Sequence, residues 1–270
     1  MLTMPSPPRS SPSAVPVGAR LAAATLGLIR EPLVSLGGTT GSAWACGADV
    51  LRIGNPADLR REVLVMQAAS RAVPVPEVLA TAEFIDDQQR PRAVLLLTRL
   101  PGRPAADLAD VSPARAHCWG DVCGHLHAAL ATVSPPPGLR AAPAVPTSQA
   151  SATHSLLHLD LHPLNVLVTE AGDVSGVLDW ANAAAGPAVL DRARTWSILT
   201  LAPEVLSLRN EPRSKALLHG WTRSAGFEHL PTAARAWACR FMLDDLAMRY
   251  PASRLDHIRQ YLTDDLGVGT

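Results

Sequence analysis

The sequence predicts an α+β protein with two lobes: a small, β-rich lobe over residues 19–100 and a larger, mainly helical lobe over residues 101–270. Short apolar and β-branched runs bounded by Gly, Pro and Asp fill the first region, which is typical of strands joined by turns. Longer stretches with apolar residues at helical spacing dominate the second. Hydrophobic residues make up 47% of the chain and charged residues 18%, a balance that indicates a folded core.

The composition argues against several classes of partner. The 24 basic and 24 acidic residues cancel, so charge gives no reason to expect binding to nucleic acid or to a membrane surface. No apolar run reaches the length of a membrane span. Four scattered cysteines lack the pattern of a disulfide framework, which predicts a reducing, cytoplasmic location. The oligomeric state is left open.

The first lobe follows a tail. Residues 1–18 are rich in Pro and Ser and predict a disordered segment rather than a signal peptide. A helix is predicted over residues 19–29, ended by Glu31-Pro32, and a second over residues 58–69. Strands are predicted over residues 33–36, 43–46, 50–53, 78–82 and 93–97.

A loop of small residues lies between the first two predicted strands and consists of Gly37, Gly38, Thr39, Thr40 and Gly41. Such a loop lets backbone amides approach phosphate oxygens closely. An ordinary hairpin turn has the same composition, so the loop alone does not decide between the two interpretations.

A cation follows this loop at Arg52, on the third predicted strand, where a guanidinium suits bidentate contact with phosphate. The only lysine of the chain, Lys215, lies in a predicted helix far from this strand and does not replace it easily. Glu62, in the next helix, would hold Arg52 in place if the helix packs beside the strand. A surface arginine and a solvated helix glutamate are the alternatives.

The connector between the lobes is predicted over residues 95–102, an apolar strand that runs into Pro101-Gly102. Its backbone can hydrogen-bond the edge of a purine, and Thr98 and Leu100 bound the part expected to face the base.

The second lobe is predicted to be mostly helical, with Trp196, Trp221 and Trp237 in its core. Residues 134–152, rich in Pro, Ala and Ser, are predicted to be a linker or a loose loop. Helices are predicted over residues 113–131, 191–201, 204–208, 213–225, 232–249 and 252–266.

The most informative segments read His-Leu-Asp-Leu-His-Pro-Leu-Asn at residues 158–165 and Val-Leu-Asp-Trp at residues 177–180. The β-prone residues between them flank a turn cluster, so a hairpin is predicted. A hairpin brings Asn165 and Asp179 to the same edge. Asp160 and Asn165 have the D-x-x-x-x-N spacing of a kinase catalytic loop.

These side chains suit phosphoryl transfer. A carboxylate at Asp160 can orient an attacking hydroxyl, and Asn165 and Asp179 supply the oxygen ligands that Mg²⁺ prefers. A helix cap, a turn position and a surface contact would explain the three residues separately, but not their combined spacing.

A zinc hydrolase built on His154, His158 and His162 is a further interpretation. It requires supporting ligands from a second, well-placed cluster, which the sequence does not offer. It also leaves Asn165, Asp179 and the glycine-rich loop without a role.

Taken in order, His158, Asp160, Asn165, Asp179, Trp180 and Asp191 make the chain resemble the aminoglycoside phosphotransferase and choline kinase-like family, which has a bilobal protein-kinase-like fold. The resemblance covers nearly all residues after about Leu33. It implies that Asp160 is the catalytic carboxylate, that Asn165 and Asp179 bind Mg²⁺, and that His158 has a structural role.

The chain departs from the family pattern at several positions. Leu159 stands where the family has glycine, and Ala181 and Asn182 stand where an acid is often found. No aspartate separates Gly186 from Pro187. These departures bear on the loop conformation and on the acceptor.

The resemblance implies transfer of the γ-phosphoryl group of ATP, with Mg²⁺, to a hydroxyl of a small molecule. An aminoglycoside or another antibiotic is the first expectation. Choline, homoserine or a sugar-like metabolite, and a nucleotide-binding protein without activity, are the alternatives. The preference for ATP over GTP is not readable from the sequence.

Overall fold

The computed structural model describes residues 15–37, 42–149 and 152–268. Most of the predicted tail, as well as Gly38, Thr39, Thr40 and Gly41, lies outside these residues. The described chain forms two compact units. The first consists of the residues up to Leu59 together with Glu77–Arg99, and the second consists of Arg60–Pro76 together with the residues from Leu100 onward. Residues 60–76 thus belong to the second unit.

The first unit contains one complete helix and five strands: α1 Val17–Thr25, β1 Leu33–Ser35, β2 Ala43–Cys46, β3 Asp49–Gly54, β4 Val78–Ile85 and β5 Pro91–Thr98. The strands form an antiparallel sheet in the order β1-β2-β3-β5-β4. Helix α1 packs on one face through small residues such as Ala19, Ala22 and Ala23, which share a core with Leu51 and Ile53. Helix α2, Pro56–Ala69, begins in this unit and continues in the second.

The second unit is mainly helical and also contains five short strands: β6 Arg103–Pro104, β7 His154–Leu157, β8 Val166–Val168, β9 Val174–Val177 and β10 Ala184–Pro187. They form two small antiparallel sheets, β6-β8-β9 and β10-β7. The helices are α3 Pro113–Leu130, α4 Ala188–Leu201, α5 Pro212–Ser224, α6 Thr232–Leu246 and α7 Asp256–Gln260. Trp196, Trp221 and Trp237 are buried, as predicted. None of the helices in the described part of the chain is both long enough and apolar enough to span a bilayer.

One prediction for this unit is wrong. Residues 204–208 form turns rather than a helix. Residues 134–149, within the segment predicted to be a linker or loose loop, are mostly loop, and two of them bond to the rest of the unit: Ala142 donates to the Ala185 carbonyl (2.8 Å), and the Pro143 carbonyl accepts from the Trp237 indole (2.7 Å). Proline disfavours regular helices and strands, but the backbone groups of Ala142 and Pro143 still form hydrogen bonds with other residues of the unit.

Helices α3 and α5 approach each other through glycines. A Cβ atom added to Gly120 would overlap the carbonyl oxygen of Leu217, and one added to Gly220 would overlap the carbonyl oxygen of His117. Each glycine thus lets the backbone of the other helix approach without a side chain between them. Trp221, which is fully buried, lies next to this crossing.

Gly120→Ala is therefore expected to lower the free energy of unfolding by about 1–3 kcal/mol, the usual cost of overpacking. The overlapping atom is backbone, so it cannot rotate away. Gly18→Ala in α1 is the control, because nothing lies within 4 Å of its added Cβ, and it should be neutral or slightly stabilising. Thermal and urea unfolding measure both, and equal effects would contradict the close crossing.

Candidate active site

The hairpin predicted between residues 165 and 179 is present and brings its two ends together. Val166 pairs with Val177 across strands β8 and β9, and the Leu178 amide donates to the Asn165 carbonyl at 2.8 Å. Asn165 and Asp179 therefore flank the same end of the hairpin. Asp179 is exposed and has a left-handed backbone, with φ of 58°.

Asp160 and Asn165 are joined directly. The Asn165 side-chain amide donates to the Asp160 backbone carbonyl (2.9 Å) and to the Asp160 carboxylate oxygen Oδ2 (3.1 Å). Both bonds use Asn165 Nδ2, so its Oδ1 oxygen is directed away from Asp160 and suits a cation. The spacing D-x-x-x-x-N thus lets the side chain of the last residue of the loop bond to the first.

The other carboxylate oxygen of Asp160 faces His162. The two atoms, Asp160 Oδ1 and His162 Nε2, lie 3.3 Å apart. His162 Nδ1 accepts from the Leu164 amide (3.3 Å), so the hydrogen on Nε2 points to Asp160. Burial alone would raise the pKa of the Asp160 carboxyl, but the hydrogen bond from His162 and the positive charge of Arg194 outweigh it and hold the pKa below its usual value. Asp160 is therefore ionised at neutral pH.

His158 is fully buried and links the loop that carries Asp160 to the backbone next to Asp179. Its Nδ1 accepts from the Asp160 amide (3.2 Å), and its Nε2 donates to the Leu178 carbonyl (2.9 Å). Burial lowers the pKa of His158 despite the nearby carboxylates, which keeps the ring neutral as this pattern of bonds requires. Its ring also contacts Trp180, with centroids 4.5 Å apart.

Leu159 retains the backbone conformation that favours glycine. Its φ is 61°, in the left-handed region, and its side chain is only 2% exposed. The Leu159 amide donates to Asp191 Oδ1 at 2.6 Å. Burial would raise the pKa of the Asp191 carboxyl, but hydrogen bonds from His127 and the Leu159 amide lower it. An ionised carboxylate thus stabilises the strained turn.

Because Leu159 has a left-handed backbone, we expect glycine to be more stable than alanine at this position, the reverse of the usual order. Leu159→Ala and Leu159→Gly both lose the buried side chain, which costs about 2–5 kcal/mol. Glycine also removes the left-handed strain, so Leu159→Gly should be more stable than Leu159→Ala by about 1 kcal/mol. Urea unfolding of both variants measures the difference. The usual order, with alanine more stable, would contradict the left-handed turn.

An arginine that the sequence did not single out lies near Asp160. Arg194 is 3% exposed, donates to Asp245 Oδ2 at 2.6 Å, and lies over the Phe241 ring at 4.8 Å. Its charge contributes to lowering the pKa of Asp160. Asp245 also pairs with Arg249 at 3.3 Å. Neither spacing nor composition marks Arg194, because its partner belongs to another helix.

The positions where an acid is often found in the family have a different role here. Arg140 donates to the carbonyl oxygens of Ala181 and Ala183, both at 3.3 Å. The segment after Trp180 is thus held through its backbone rather than through an acidic side chain.

Asn165 and Asp179 fit a magnesium ion. They are hard oxygen donors at one end of a hairpin, and the amide nitrogen of Asn165 is already used by Asp160. By contrast, the described residues contain no group of three or more His, Cys, Asp or Glu side chains placed to hold a metal. The histidines at 154, 158 and 162 therefore do not form such a group.

The nucleotide-binding candidates belong to both units. In the first, Gly37 has a φ of 76° at the start of the glycine-rich loop. Arg52 donates to the Ser42 hydroxyl and lies on the sheet face opposite the buried Leu51 and Ile53. Thr98 ends strand β5, where its hydroxyl accepts from the Glu77 amide at 2.9 Å.

The remaining candidates are in the second unit. Glu62 is 6% exposed in α2, and Leu100 is the first residue after the boundary between the units, inside the predicted connector. The pairing of Arg52 with Glu62 and the contact of Thr98 and Leu100 with a purine stay predictions.

Comparisons with known proteins agree on one family. The model of the phosphotransferase enzyme family matches residues 37–149 and 139–227, more than half of the chain. The solved structure of an aminoglycoside-3'-phosphotransferase of type VIII is 18% identical, with 88% of this chain and 98% of that chain covered and a TM-score of 0.57. The GDP complex of wild-type aminoglycoside 2'-phosphotransferase-IIIa is 12% identical, with 92% and 97% covered and a TM-score of 0.59.

A thermostable mutant of aminoglycoside phosphotransferase APH(4)-Ia, solved with ADP and hygromycin B, is 17% identical. It covers 94% of this chain and 99% of its own, with a TM-score of 0.52. No curated protein matches the chain. These likenesses confirm the α+β, protein-kinase-like fold, and the family model extends over both the glycine-rich loop and the Asp160 hairpin. The chain belongs to the phosphotransferase enzyme family.

Proposed function

We propose that this protein transfers the γ-phosphoryl group of ATP to a hydroxyl of a small molecule. The observation that carries the proposal is the pair of bonds from the Asn165 amide to Asp160, next to a hairpin end that also carries Asp179. One ionised carboxylate and two oxygen donors for a cation thus occupy one edge of the second unit.

In this mechanism Asp160 orients the acceptor hydroxyl by accepting its hydrogen bond. The bond from the acceptor oxygen to the γ-phosphorus forms as the bond from phosphorus to the β,γ-bridging oxygen breaks, and ADP leaves. The hydroxyl proton passes to Asp160 and then to solvent. His162 and Asn165 hold the two carboxylate oxygens, so the group keeps its orientation through the reaction.

Asn165 and Asp179 would hold Mg²⁺, which neutralises charge on the β- and γ-phosphates when bound. Arg52 would contact the phosphates, and the backbone amides of residues 37–41 would approach them. The backbone between Thr98 and Leu100 would contact the purine, and Glu62 would orient Arg52.

An aminoglycoside is the first class of acceptor to test, because hygromycin B occupies one of the solved relatives. Polycationic acceptors favour acidic surroundings. Helix α6 carries two adjacent acids, Asp244 and Asp245. Asp245 already pairs with Arg194 and Arg249, and Asp244 is exposed, so these acids give no strong reason to prefer a polycationic acceptor. A less cationic acceptor, such as choline, homoserine or a sugar-like metabolite, is therefore included in the same test.

The test incubates the full chain with Mg-ATP and each compound of a hydroxyl panel, including hygromycin B, and looks for the mass gain of one phosphate. Product with any member, dependent on both ATP and Mg²⁺, supports the proposal. Nucleotide binding without product across a broad panel would instead favour a binding protein without activity.

We also propose a cytoplasmic location. The four cysteines, all within the described residues, are free thiols, and Cys46, Cys123 and Cys239 are buried. Free thiols are typical of a reducing compartment. Fractionation of the source cells tests it.

A further inference from the structure

A cavity of about 460 Å³ lies beside helix α6 in the second unit. Its walls are one side of α6, the loop at residues 143–146, and Val268. We propose that this cavity binds the body of the acceptor, and that this body is an uncharged aromatic ring system. The inference rests on the proposed function, since it names the class of compound that carries the phosphorylated hydroxyl.

The lining of the cavity is mostly apolar and includes two aromatic side chains of α6, Trp237 and Phe241. Their ring centroids lie 5.2 Å apart at an interplanar angle of 40°, so the two rings are neighbouring parts of one wall. Aromatic rings attract other aromatic rings through offset and edge-to-face contacts. A cavity of roughly 150 Å³ holds benzene, so this larger one has room for a compound of two or three rings.

Both rings are held in place by polar contacts. The Trp237 indole nitrogen donates to the Pro143 carbonyl at 2.7 Å, which fixes the ring to the loop across the cavity. The Arg194 guanidinium lies over the Phe241 ring, with 4.8 Å between its central carbon and the ring centroid, and it donates to Asp245 at 2.6 Å. A wall that is ordered before the ligand binds loses little conformational entropy on binding, which favours a rigid ligand that fits it.

The loop on the other side of the cavity has a strained backbone. Ala144, which lines the cavity, has a φ of 46°, in the left-handed region that a residue with a Cβ enters unfavourably. Hydrogen bonds on both sides of Ala142 hold the loop to the rest of the unit, one to the Ala185 carbonyl and one from Trp237 to Pro143. Backbone strain that the surroundings maintain in this way is concentrated at ligand-binding sites.

The charge of the lining indicates an uncharged ligand. Arg240 and Asp244 are the two charged residues in the described lining, and their formal charges cancel. A charged ligand would therefore lose its hydration in a mostly apolar cavity without meeting a net opposite charge. This distinguishes the expected acceptor from a polycation such as hygromycin B.

The cavity wall is also connected to the catalytic loop. Arg194, which lies over the Phe241 ring, is followed in α4 by Thr195, whose hydroxyl donates to the Leu161 carbonyl at 2.8 Å. Leu161 follows Asp160 directly. The side chain that forms the wall thus contacts the helix that supports the loop, and the hydroxyl of a ligand in the cavity is the group expected to reach Asp160.

The binding test uses 2-naphthylmethanol, an uncharged alcohol with two aromatic rings, and three compounds matched to it. Two of them carry an added aminomethyl or carboxylate group on the far ring, and the third is the saturated decalin analogue. Calorimetry with the full chain should show that 2-naphthylmethanol binds roughly fivefold more tightly than each of the three, because the cavity favours flat, uncharged rings. No binding of 2-naphthylmethanol, or tighter binding of a charged analogue, would overturn the proposal.

Ala233→Leu fills part of the cavity, because Ala233 is half-buried and belongs to the lining. It should weaken the binding of 2-naphthylmethanol roughly tenfold, since the ring and the new side chain compete for one volume, while the melting temperature stays the same or rises. Ala247→Leu is the matched control, the same change at an exposed position directly after α6, and it should bind as the wild type does. Equal affinities in the two variants would place the ligand elsewhere and overturn the proposal.

Phe241→Leu gives a second variant that keeps an apolar side chain and removes the ring. It should abolish the preference for 2-naphthylmethanol over its decalin analogue, because leucine packs equally well against flat and saturated rings. A preference that is unchanged in this variant would exclude Phe241 as the ring that contacts the ligand, and with it the proposed site.

Turnover with Mg-ATP separates this inference from the proposed function. We expect 2-naphthylmethanol to gain one phosphate, with a KM that rises roughly tenfold in Ala233→Leu while the KM for ATP is unchanged. Phosphorylation of hygromycin B at equal rates in Ala233→Leu and Ala247→Leu would uphold the proposed function and overturn this inference. Binding of 2-naphthylmethanol in the cavity without transfer to any compound would overturn the proposed function and leave the cavity as a site for aromatic compounds.

Discussion

Asp160→Asn is expected to reduce phosphoryl transfer by about 10²- to 10⁴-fold and to leave nucleotide binding nearly unchanged. An amide cannot take the proton of the acceptor hydroxyl. It can still accept the hydrogen bond from the Asn165 side chain, which is 3.1 Å from Asp160 Oδ2 in the native protein, while its NH₂ group replaces the oxygen that faces His162. The loop should therefore keep its bond to Asn165 while it loses its base.

Single-turnover kinetics with the best acceptor from the panel measure this effect, and calorimetry measures nucleotide affinity. Asp110→Asn is the matched control, because Asp110 is an exposed acid in the same unit. Activity of Asp160→Asn within a few-fold of the wild type would exclude Asp160 as the base. A large loss in nucleotide affinity would place Asp160 in nucleotide binding instead.

Asp179→Asn is expected to weaken catalysis by about 10²- to 10³-fold at low Mg²⁺ and to recover partly as Mg²⁺ is raised. A metal supplies several kcal/mol of charge stabilisation to a reaction of this kind, and a neutral amide is a weaker ligand than a carboxylate. Asparagine enters the left-handed region more readily than most residues, so it tolerates the φ of 58° at this position. The substitution thus separates loss of the ligand from strain in the backbone.

The Mg²⁺ dependence of the initial rate, at fixed ATP, is the measurement. Asp173→Asn, in the turn of the same hairpin, is the control and should have the wild-type dependence. A lower rate for Asp179→Asn with an unchanged Mg²⁺ dependence would show that Asp179 acts other than through the metal.

The predictable part of the site was local. The β-prone runs in residues 166–178 and the turn cluster between them specify a hairpin, and a hairpin necessarily places Asn165 and Asp179 at one end. The hydrogen bond from Asn165 to Asp160 follows from the short loop between them. The α+β fold and the family were also readable, because the motifs recur in a fixed order.

The rest depended on contacts between elements far apart in sequence. No spacing relates His127 to Asp191 or Arg194 to Asp245, because these pairs form only when different helices pack together. The substitution of Leu159 for glycine suggested an altered loop. Instead, Asp191 holds the loop in the conformation that glycine would favour. The helix predicted over residues 204–208 was wrong because local helical propensity is weak evidence in so short a segment.

A crystal structure with Mg²⁺ and the non-hydrolysable analogue AMP-PNP tests the central claim most directly. The account predicts Mg²⁺ bound by Asn165 Oδ1 and the Asp179 carboxylate at about 2.1 Å, with Arg52 on the phosphates. Asp160 should face the γ-phosphate without binding the metal. A nucleotide bound elsewhere, or a metal held by other residues while Asn165 and Asp179 face away, would contradict it.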